Sequence, residues 1–238
     1  MSGAEAMVMA AGRGERMRPL TDHCPKPLLE VRGKPLLQYH LEALASGGVG
    51  QVVVNTAWLG EQIEDRFARS PSPSARPALP RVLISPEGRD FGAALETAGG
   101  IARALPLLAE VFWVAGGDVF VPGFEYRPEA LARFAASGKL AHLVLVPNPP
   151  HNPRGDFALR PDGLALREGA VRYTYSTIGL YHRRLFDGMP TGNPAGLKAP
   201  LAPLLRAAMD EGAVSAEIYT GDWTDVGTPE RLASLNAA

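Results

Sequence analysis

Hydrophobic and polar positions follow two different periods along the first 147 residues. Runs rich in β-branched and apolar residues predict buried parallel strands, whereas apolar residues three or four positions apart predict helices. The predicted strands are 7–11, 51–56, 81–85, 111–115 and 141–147. The predicted helices are 35–46, 59–69, 95–108 and 128–137. Strands that alternate with helices favour an α/β fold, in which helices flank a mostly parallel sheet.

The pattern changes after residue 147, where short alternating runs predict antiparallel strands. These strands are 156–160, 164–167 and 173–181, and a helix at 201–211, a strand at 214–219 and a helix at 229–236 follow. A Pro- and Ser-rich stretch at 70–80 predicts an exposed loop, not a domain linker. We therefore expect one domain over 1–238, with a Rossmann-like, doubly wound, mostly parallel mixed sheet. Its two halves, 1–147 and 148–238, are expected to share that sheet.

A loop rich in glycine and arginine follows the first predicted strand. Gly12 and Gly14 can adopt φ > 0 and let a ligand approach the backbone, and consecutive N–H groups can form a concavity for an anion. Arg13 and Arg16 offer planar forks for phosphate, and Lys26 follows between two prolines. In open α/β sheets, ligands bind outside the carboxyl ends of the strands, where this loop falls. These residues predict a bound triphosphate.

Other interpretations of this loop require different residues. A P-loop requires G-x-x-x-x-G-K-[ST], which the stretch lacks. A dinucleotide fingerprint requires glycine or alanine at its third position, which is Met17 here. A glycine-rich turn with solvated arginines stays open as the alternative to a phosphate site.

Composition narrows the classes of partner and compartment. The net charge is −1 and the pI is about 6.5, so no overall field favours nucleic acid or an anionic membrane. Cys24 is the only cysteine, so an internal disulfide is impossible and nothing indicates an oxidising compartment. No apolar run approaches the roughly 20 residues that a membrane span needs. We expect a cytoplasmic protein that binds neither nucleic acid nor membrane, and no pattern in the sequence indicates its oligomeric state.

The run A-A-G-x-G-x-R-x-x-P-L-T at 10–21, followed by P-K-P at 25–27, resembles the signature of the sugar-1-phosphate nucleotidyltransferases. The resemblance implies the nucleotidyltransferase (GT-A-like) fold. It also implies transfer of a nucleoside monophosphate from a nucleoside triphosphate to a sugar 1-phosphate, with release of pyrophosphate. Arg16 and Lys26 would act on the phosphates as catalytic residues. The loop residues that would surround the triphosphate are Ala11, Gly12, Arg13 and Gly14.

Two aspartates are candidate ligands for Mg²⁺, which prefers oxygen donors and usually takes one or two carboxylates plus substrate phosphates. Asp118 follows the predicted strand 111–115, and Asp225 lies in the segment W-T-D-V-G-T at 223–228. The resemblance selects the same two residues, although relatives often have Asn at the position of Gly116. The alternatives are a turn or N-cap role for Asp118 and an N-cap role for Asp225.

The segment L-E-T-A-G-G at 95–100 resembles the segment that contacts the base in this family. The resemblance implies nucleotide contacts by Glu96, Thr97 and Gly99, and Glu87 is a weaker candidate for the same role. Adjacent glycines in a helix otherwise cost about 1 kcal/mol each, so they need a reason. Tight packing of the helix on the sheet is the alternative to ligand contact.

The segment N-P-P-H-N-P-R-G-D-F at 148–157 resembles the sugar loop of the N-acetylmuramate-1-phosphate uridylyltransferase group of this family. It implies that Asn152 and Asp156 bind the sugar, and a matching strand adds Gly179. An Asx-rich turn is the alternative. Many relatives have Glu-Lys-Pro where this chain has Arg-Glu-Gly at 167–169, so Glu168 is a candidate for a sugar hydroxyl. The contact to the sugar phosphate stays open among Arg167, Arg172 and Lys198.

The resemblance makes a nucleoside triphosphate and a sugar 1-phosphate the expected partners. Because the sugar loop resembles that of the N-acetylmuramate-1-phosphate uridylyltransferase group, the resemblance implies UTP and N-acetylmuramate 1-phosphate as the pair of substrates. The alternatives are a mannose-1-phosphate guanylyltransferase-type activity and a non-catalytic nucleotide-sugar-binding regulatory protein on the same fold.

Overall fold

The structure of the chain is a computed structural model that describes residues 3–69 and 79–237. The strands are β1 (Ala4–Met9), β2 (Glu30–Val31), β3 (Lys34–Pro35), β4 (Gln51–Thr56), β5 (Arg81–Pro86), β6 (Leu108–Gly116), β7 (Val119–Phe120), β8 (Ala141–Val146), β9 (Phe157–Leu159), β10 (Ala165–Leu166), β11 (Arg172–His182), β12 (Val214–Ile218) and β13 (Thr224–Asp225). Most of the predicted loop 70–80 lies outside the described residues.

The helices lie between these strands. They are α1 (Leu36–Ser46), α2 (Gly60–Ile63), α3 (Glu87–Phe91), α4 (Glu96–Ala104), α5 (Pro128–Ala136), α6 (Leu201–Asp210) and α7 (Pro229–Ala237). A π-helical segment, Glu64–Arg69, continues α2, and one-turn 3₁₀ helices occur in the loop after β1. Within the described residues, no helix is both long enough and apolar enough to cross a bilayer.

Nine strands of the described chain form one mixed sheet. Its central order is β5-β4-β1-β6-β11, in which β5, β4, β1 and β6 are parallel and β11 is antiparallel to β6. Beyond β11, β8 pairs antiparallel with it and β12 pairs parallel with β8. At the first residues of β11, β9 pairs antiparallel with it, and β10 pairs antiparallel with β9. The predicted doubly wound, mostly parallel mixed sheet is therefore present. Strands from both predicted halves contribute to it.

The core lies on both faces of β1. Met7 packs on one face in a cluster with Ile101 of α4, and Val8 packs on the other in a cluster with Leu41 of α1. Each fully buried side chain of this size contributes about 1.5–3 kcal/mol. Because parallel strands buried on both faces show continuous apolar runs, this part of the sheet was predictable. Its packing fixes the carboxyl ends of β1, β4 and β6 at one edge.

The structure differs from the predicted elements where a local contact outweighs periodicity. β1 ends at Met9, not at residue 11, because the N–H of Ala10 donates to the Asn55 side chain at 2.7 Å and not to a neighbouring strand. The predicted helix 95–108 ends at Ala104, because Pro106 lacks the N–H that an α-helix uses and the chain tightens into a 3₁₀ turn. Helix α3 was not predicted, since five residues are too few to show a helical period.

Candidate active site

A cavity of about 780 Å³ lies at the carboxyl ends of β1, β4 and β6 and extends towards β9, β11 and the start of α6. The predicted site residues that border it are Ala11, Gly12, Lys26, Glu87, Glu96, Thr97, Asp118 and Asp156. The predicted site residues outside its lining are Arg13, Gly14, Arg16, Gly99, Asn152, Glu168, Gly179 and Asp225. A second cavity, of about 400 Å³, lies beside the end of α1 and contains none of these residues.

The glycine-rich loop turns at Gly14, which has φ 68° and precedes the 3₁₀ turn Glu15–Met17. The hydroxyl of Thr21 donates to the carbonyl of Gly14 at 2.8 Å, and a Cβ at Gly14 would lie 3.2 Å from the Lys26 Cβ. A Cβ at Gly12 would meet nothing within 4 Å. The loop therefore folds back on Lys26 while its Gly12 face stays open to the cavity.

Arg13, predicted to bind the nucleotide, is held by protein groups in this structure. Its guanidinium donates to the carbonyl of Thr21 at 2.9 Å and to the carboxylate of Asp22 at 3.0 Å. The guanidinium also lies 3.8 Å from the ring centre of Trp58, a cation–π contact. Arg16 is exposed on the adjacent turn. Of the two arginines, Arg16 keeps its charge available and Arg13 stiffens the loop.

Lys26 and Asp118 form an ion pair on the cavity wall. The Lys26 ammonium lies 2.6 Å from Asp118 Oδ2, and Lys26 is only 7% exposed. Although Lys26 lies in a loop, it is buried, since the 3₁₀ turn Lys26–Leu28 directs it inward. The pair joins the glycine-rich loop to the end of β6.

The short strands β7 and β13 bring the two predicted metal ligands to neighbouring positions. Asp225 pairs with Val119, and the N–H of Val226 donates to the carbonyl of Asp118 at 3.1 Å. Neither strand was predicted, because two residues show no period. Among the described residues, no cluster of three or more His, Cys, Asp or Glu side chains forms a metal site. The aspartates are thus a pair, distant in sequence and joined by backbone hydrogen bonding.

Asp225 contacts two side chains that the sequence did not single out. Arg231 donates to both Asp225 Oδ2 and the Asp225 carbonyl at 2.8 Å, and His151 Nε2 lies 3.4 Å from Oδ2. His151 belongs to the predicted sugar loop, and Arg231 belongs to the first turns of α7. No local pattern indicates these contacts, because they join three distant segments. Each aspartate of the pair therefore has a cationic partner.

His40 on α1 supports β7 from behind. Burial lowers the pKa of His40 to about 4, so the ring is neutral near pH 7. Its Nε2 lies 3.0 Å from the carbonyl of Val119, which only accepts, so Nε2 carries the proton. Its Nδ1 then accepts from the Tyr126 hydroxyl at 3.0 Å. The backbone next to Asp118 is thus held by a fixed tautomer.

The segment predicted to contact the base begins α4 in an unusual conformation. Glu96 is exposed at the cavity with φ 60°, in the left-handed region that non-glycine residues rarely adopt, and Thr97 follows it. Gly99 does not face the cavity: a Cβ there would overlap the carbonyl oxygen of Leu197. The close approach at Gly99 is therefore to the loop before α6, which differs from both the expected ligand contact and the alternative of packing on the sheet.

Glu87 borders the cavity but is fully buried, with both carboxylate oxygens bonded to protein. Asn55 Nδ2 donates to Oε1 at 2.7 Å, and the N–H of Leu95 donates to Oε2 at 2.8 Å. Burial raises the pKa of Glu87, and these two hydrogen bonds oppose that change. A Cβ on Gly100 would lie 2.5 Å from Oε1, so this second glycine makes room for the carboxylate.

Some of the residues predicted to bind the sugar border the cavity, and others hold the segments around it in place. Asp156 is exposed at the cavity, where its Oδ2 accepts from the N–H of Tyr175 at 2.8 Å. Asn152 donates to Asp156 and to the Thr174 hydroxyl, so it orients the loop. Gly179 lies inside the sheet, where a Cβ would be 2.8 Å from the carbonyl of His142. Asp156 is thus the predicted sugar residue that reaches the cavity.

Of the three cations considered for the sugar phosphate, only Arg172 borders the cavity. Arg167 pairs with Asp210 at 2.8 Å, and Lys198 is exposed in the loop before α6. Arg172 donates to the exposed Glu168 at 3.2 Å, so Glu168 acts on Arg172 in this structure.

Two further cavity residues were missed. Arg206 projects from α6 one turn after Ala202. In the amphipathic pattern of this helix it is one of several polar positions, and the pattern does not indicate which of them faces a cavity. Thr177 lies at an irregular step in β11 with φ 67°, and its buried hydroxyl has no partner among the described residues. A left-handed threonine inside a strand has no signal in the sequence, because it arises from tertiary packing.

Comparison with protein-family models matches residues 5–157 to the model described as nucleotidyl transferase. The chain belongs to the nucleotidyl transferase family. The predicted family, the GT-A-like nucleotidyltransferase fold and the predicted enzyme class are thereby confirmed.

Relatives match over nearly the whole chain. A protein of Neisseria meningitidis serogroup B named N-acetylmuramate alpha-1-phosphate uridylyltransferase is 46% identical, over 98% of this chain and 97% of its own. A protein of Caulobacter vibrioides with the same name is 42% identical, over 98% and 95%. A candidate glucose-1-phosphate thymidylyltransferase of Bacillus anthracis, solved in complex with a sucrose, has a TM-score of 0.77 and 19% identity over 98% of this chain and 94% of its own.

Proposed function

We propose that this nucleotidyltransferase transfers a uridylyl group from UTP to N-acetylmuramate 1-phosphate. A phosphate oxygen of the sugar phosphate attacks the α-phosphorus of UTP, the bond to the β-phosphate oxygen breaks, and pyrophosphate leaves. The observation that carries the proposal is the name shared by two relatives that are 46% and 42% identical over almost their full lengths. The sugar loop 148–157, which leads into β9 at the cavity, also supports it.

Both reactants are anions, so the site must bring them together and offset their repulsion. We assign Lys26 to the triphosphate, because its ammonium lies on the cavity wall beside the open face of Gly12. Arg16, on the adjacent turn, is the second phosphate cation. Arg13 keeps this loop in place through Trp58 and Asp22. No covalent nucleophile is required.

Asp118 and Asp225 fit Mg²⁺ as ligands. They are hard oxygen donors, with Asp118 directly before β7 and Asp225 on the paired strand β13, and each holds a cationic side chain whose place a divalent ion can take. Substrate phosphates would complete the coordination, as is usual for this ion. When bound, the ion would offset phosphate charge that builds up during transfer.

The far end of the cavity is suited to the sugar. N-acetylmuramate carries a carboxylate in addition to the 1-phosphate, so its complex with the enzyme brings two anionic groups besides UTP. Arg172 and Arg206 supply two cations there, and Asp156 can accept from a sugar hydroxyl. This charge pattern supports an acidic sugar over a neutral one.

A pyrophosphate-release screen tests the proposal by crossing UTP, GTP, CTP and dTTP with a panel of sugar 1-phosphates. We expect the fastest release with UTP and N-acetylmuramate 1-phosphate. Faster release with GTP and mannose 1-phosphate would replace the proposal with guanylyl transfer, the activity named for a relative from Drosophila pseudoobscura that is 35% identical over 96% of this chain and 60% of its own. No release with any pair would favour a regulatory protein.

A further inference from the structure

A chain of three buried hydrogen bonds crosses the floor of the cavity. The N–H of Ala10 donates to Asn55 Oδ1 at 2.7 Å, and Asn55 Nδ2 donates to Glu87 Oε1 at 2.7 Å. The N–H of Leu95 donates to Glu87 Oε2 at 2.8 Å. All four residues are at most 2% exposed. We name these four residues the floor relay.

The direction of every bond in the floor relay is fixed by its ends. Both terminal groups are backbone N–H groups, which can only donate. Asn55 must therefore turn its oxygen towards Ala10, which leaves its NH₂ group facing Glu87. Glu87 then needs an acceptor towards Asn55 and another towards Leu95, and the two oxygens of a carboxylate supply both. The residue types at positions 55 and 87 are thus specified together.

The floor relay joins the two segments assigned to the nucleotide. Ala10 directly precedes the loop that carries Gly12, and Leu95 directly precedes Glu96, whose left-handed conformation begins α4 at the cavity. A buried carboxylate is costly to the fold unless it is fully hydrogen-bonded. The hydrogen bonds that compensate Glu87 lead to the two ligand-binding segments, through Asn55 and through the N–H of Leu95, so the site explains this carboxylate better than the core does.

We propose that Asn55 and Glu87 are positioning residues, which set the distance between the triphosphate loop and the base-binding segment and so determine affinity for the nucleotide. The inference rests on the proposed nucleotide site, but not on the identity of the base or the sugar. It also changes the role of Glu87, because its oxygens are bonded to protein and do not reach for the base.

The test is an exchange of amide and carboxylate between the two positions. Glu87→Gln places an NH₂ group against the NH₂ of Asn55 or leaves the N–H of Leu95 unpaired. Asn55→Asp places two carboxylates side by side. The double variant Asn55→Asp/Glu87→Gln restores every bond. In it, the carboxylate at position 55 accepts from Ala10 and from the amide NH₂ group at position 87, and the amide oxygen at position 87 accepts from Leu95. The net charge of the double variant equals that of the wild type.

We expect each single variant to raise the KM and the dissociation constant for the triphosphate about tenfold, the effect of one unmet buried hydrogen bond. The KM for the sugar 1-phosphate should change less than about twofold, and the double variant should return to within about threefold of wild type. Ser215→Ala, which removes a partly buried hydrogen bond to His142 away from the cavity, is the control and should leave the triphosphate KM unchanged.

Several results would overturn the inference. These are single variants with normal triphosphate affinity, equal changes in both KM values, or a double variant no better than the singles. If a single variant does not fold, amide exchange of the wild type decides: triphosphate binding should slow exchange at Ala10 and Leu95 together, and slowing at one alone would reject the coupling. Because the readout uses whichever triphosphate the wild type accepts, failure of UTP as substrate would refute the proposed function and leave this inference standing.

Discussion

The two ends of the cavity hold their charged side chains in different ways. At the end proposed to bind the nucleotide, which we call the nucleotide end, Lys26 pairs with Asp118, and Glu87 accepts two hydrogen bonds, all within 2.8 Å. At the end proposed to bind the sugar, which we call the sugar end, Arg206 is exposed, and Arg172 donates to the carbonyl of Arg154 at 3.1 Å and to a Glu168 carboxylate that is 82% exposed. The nucleotide end is preorganised by protein contacts, which is what electrostatic catalysis requires. We propose that the sugar end leaves Arg206 for the ligand, so that substrate choice can change there without disturbing the chemistry.

Lys26→Ala should have the largest effect on turnover among the variants at the nucleotide end. We expect turnover to fall about 10³-fold, because a preorganised cation beside the reacting phosphate is lost. The fold should persist, since Asp118 is 40% exposed at its side chain and can be solvated. Steady-state kinetics with circular dichroism checks both points. Lys34→Ala, which removes a paired lysine outside the cavity, is the control, and equal losses in the two variants would reject the role of Lys26.

Asp118→Asn should lower turnover about 10²-fold and raise the Mg²⁺ concentration needed for half-maximal rate, because one anionic ligand is removed. Direct Mn²⁺ binding in the presence of the triphosphate provides a second readout. Asp162→Asn changes an exposed aspartate in a distant turn and should match the wild type. An unchanged metal titration for Asp118→Asn would remove it from the metal site.

The contribution of His40, which supports the backbone at the nucleotide end, can be measured from the pH dependence of stability. Its pKa in the folded protein, about 4, lies below its ordinary value of 6.5, so the unfolded state binds more protons between these values. The stability that neutral His40 provides is therefore present above pH 6.5 and is lost as the pH falls towards 4, by about 3 kcal/mol. We expect the free energy of unfolding, measured with denaturant from about pH 7.5 to about pH 4, to fall less in His40→Gln than in the wild type. Parallel curves for the two proteins would contradict this account.

Arg206→Ala should produce the smallest change and the most selective one. We expect the KM for the sugar 1-phosphate to rise about tenfold with little change for the triphosphate, since one charge-assisted hydrogen bond is lost. Arg167→Ala removes an arginine that pairs with Asp210 away from the cavity, and it should leave both constants unchanged. A rise in the triphosphate KM would show that the two ends are not separable in this way.

The sequence was most informative where one contiguous segment makes the structure. The Gly12–Lys26 region, the central parallel strands and the individual roles suggested for Asp118 and Asp225 come from local patterns. The contact between the two aspartates does not, because β7 and β13 are two residues each and their pairing joins segments far apart in the chain.

The differences between the predicted and the observed positions of the site residues come from tertiary contacts. A helical glycine can serve a ligand or a neighbouring chain segment, and Gly99 serves the loop near Leu197. Arg13 carries the same charge as Arg16, but Trp58 and Asp22 engage it. The cations at the sugar end, Arg172 and Arg206, lie on elements whose meeting depends on the completed sheet.

The pairing of β13 with β7 also affects when activity can arise during synthesis. The triphosphate loop and Asp118 leave the ribosome early, and the parallel strands beneath them can pair before the rest of the chain exists. Asp225 and its partner Arg231 arrive much later. With Asp225 as a proposed metal ligand, we therefore expect turnover to begin only after β13 has paired with β7, near the end of synthesis.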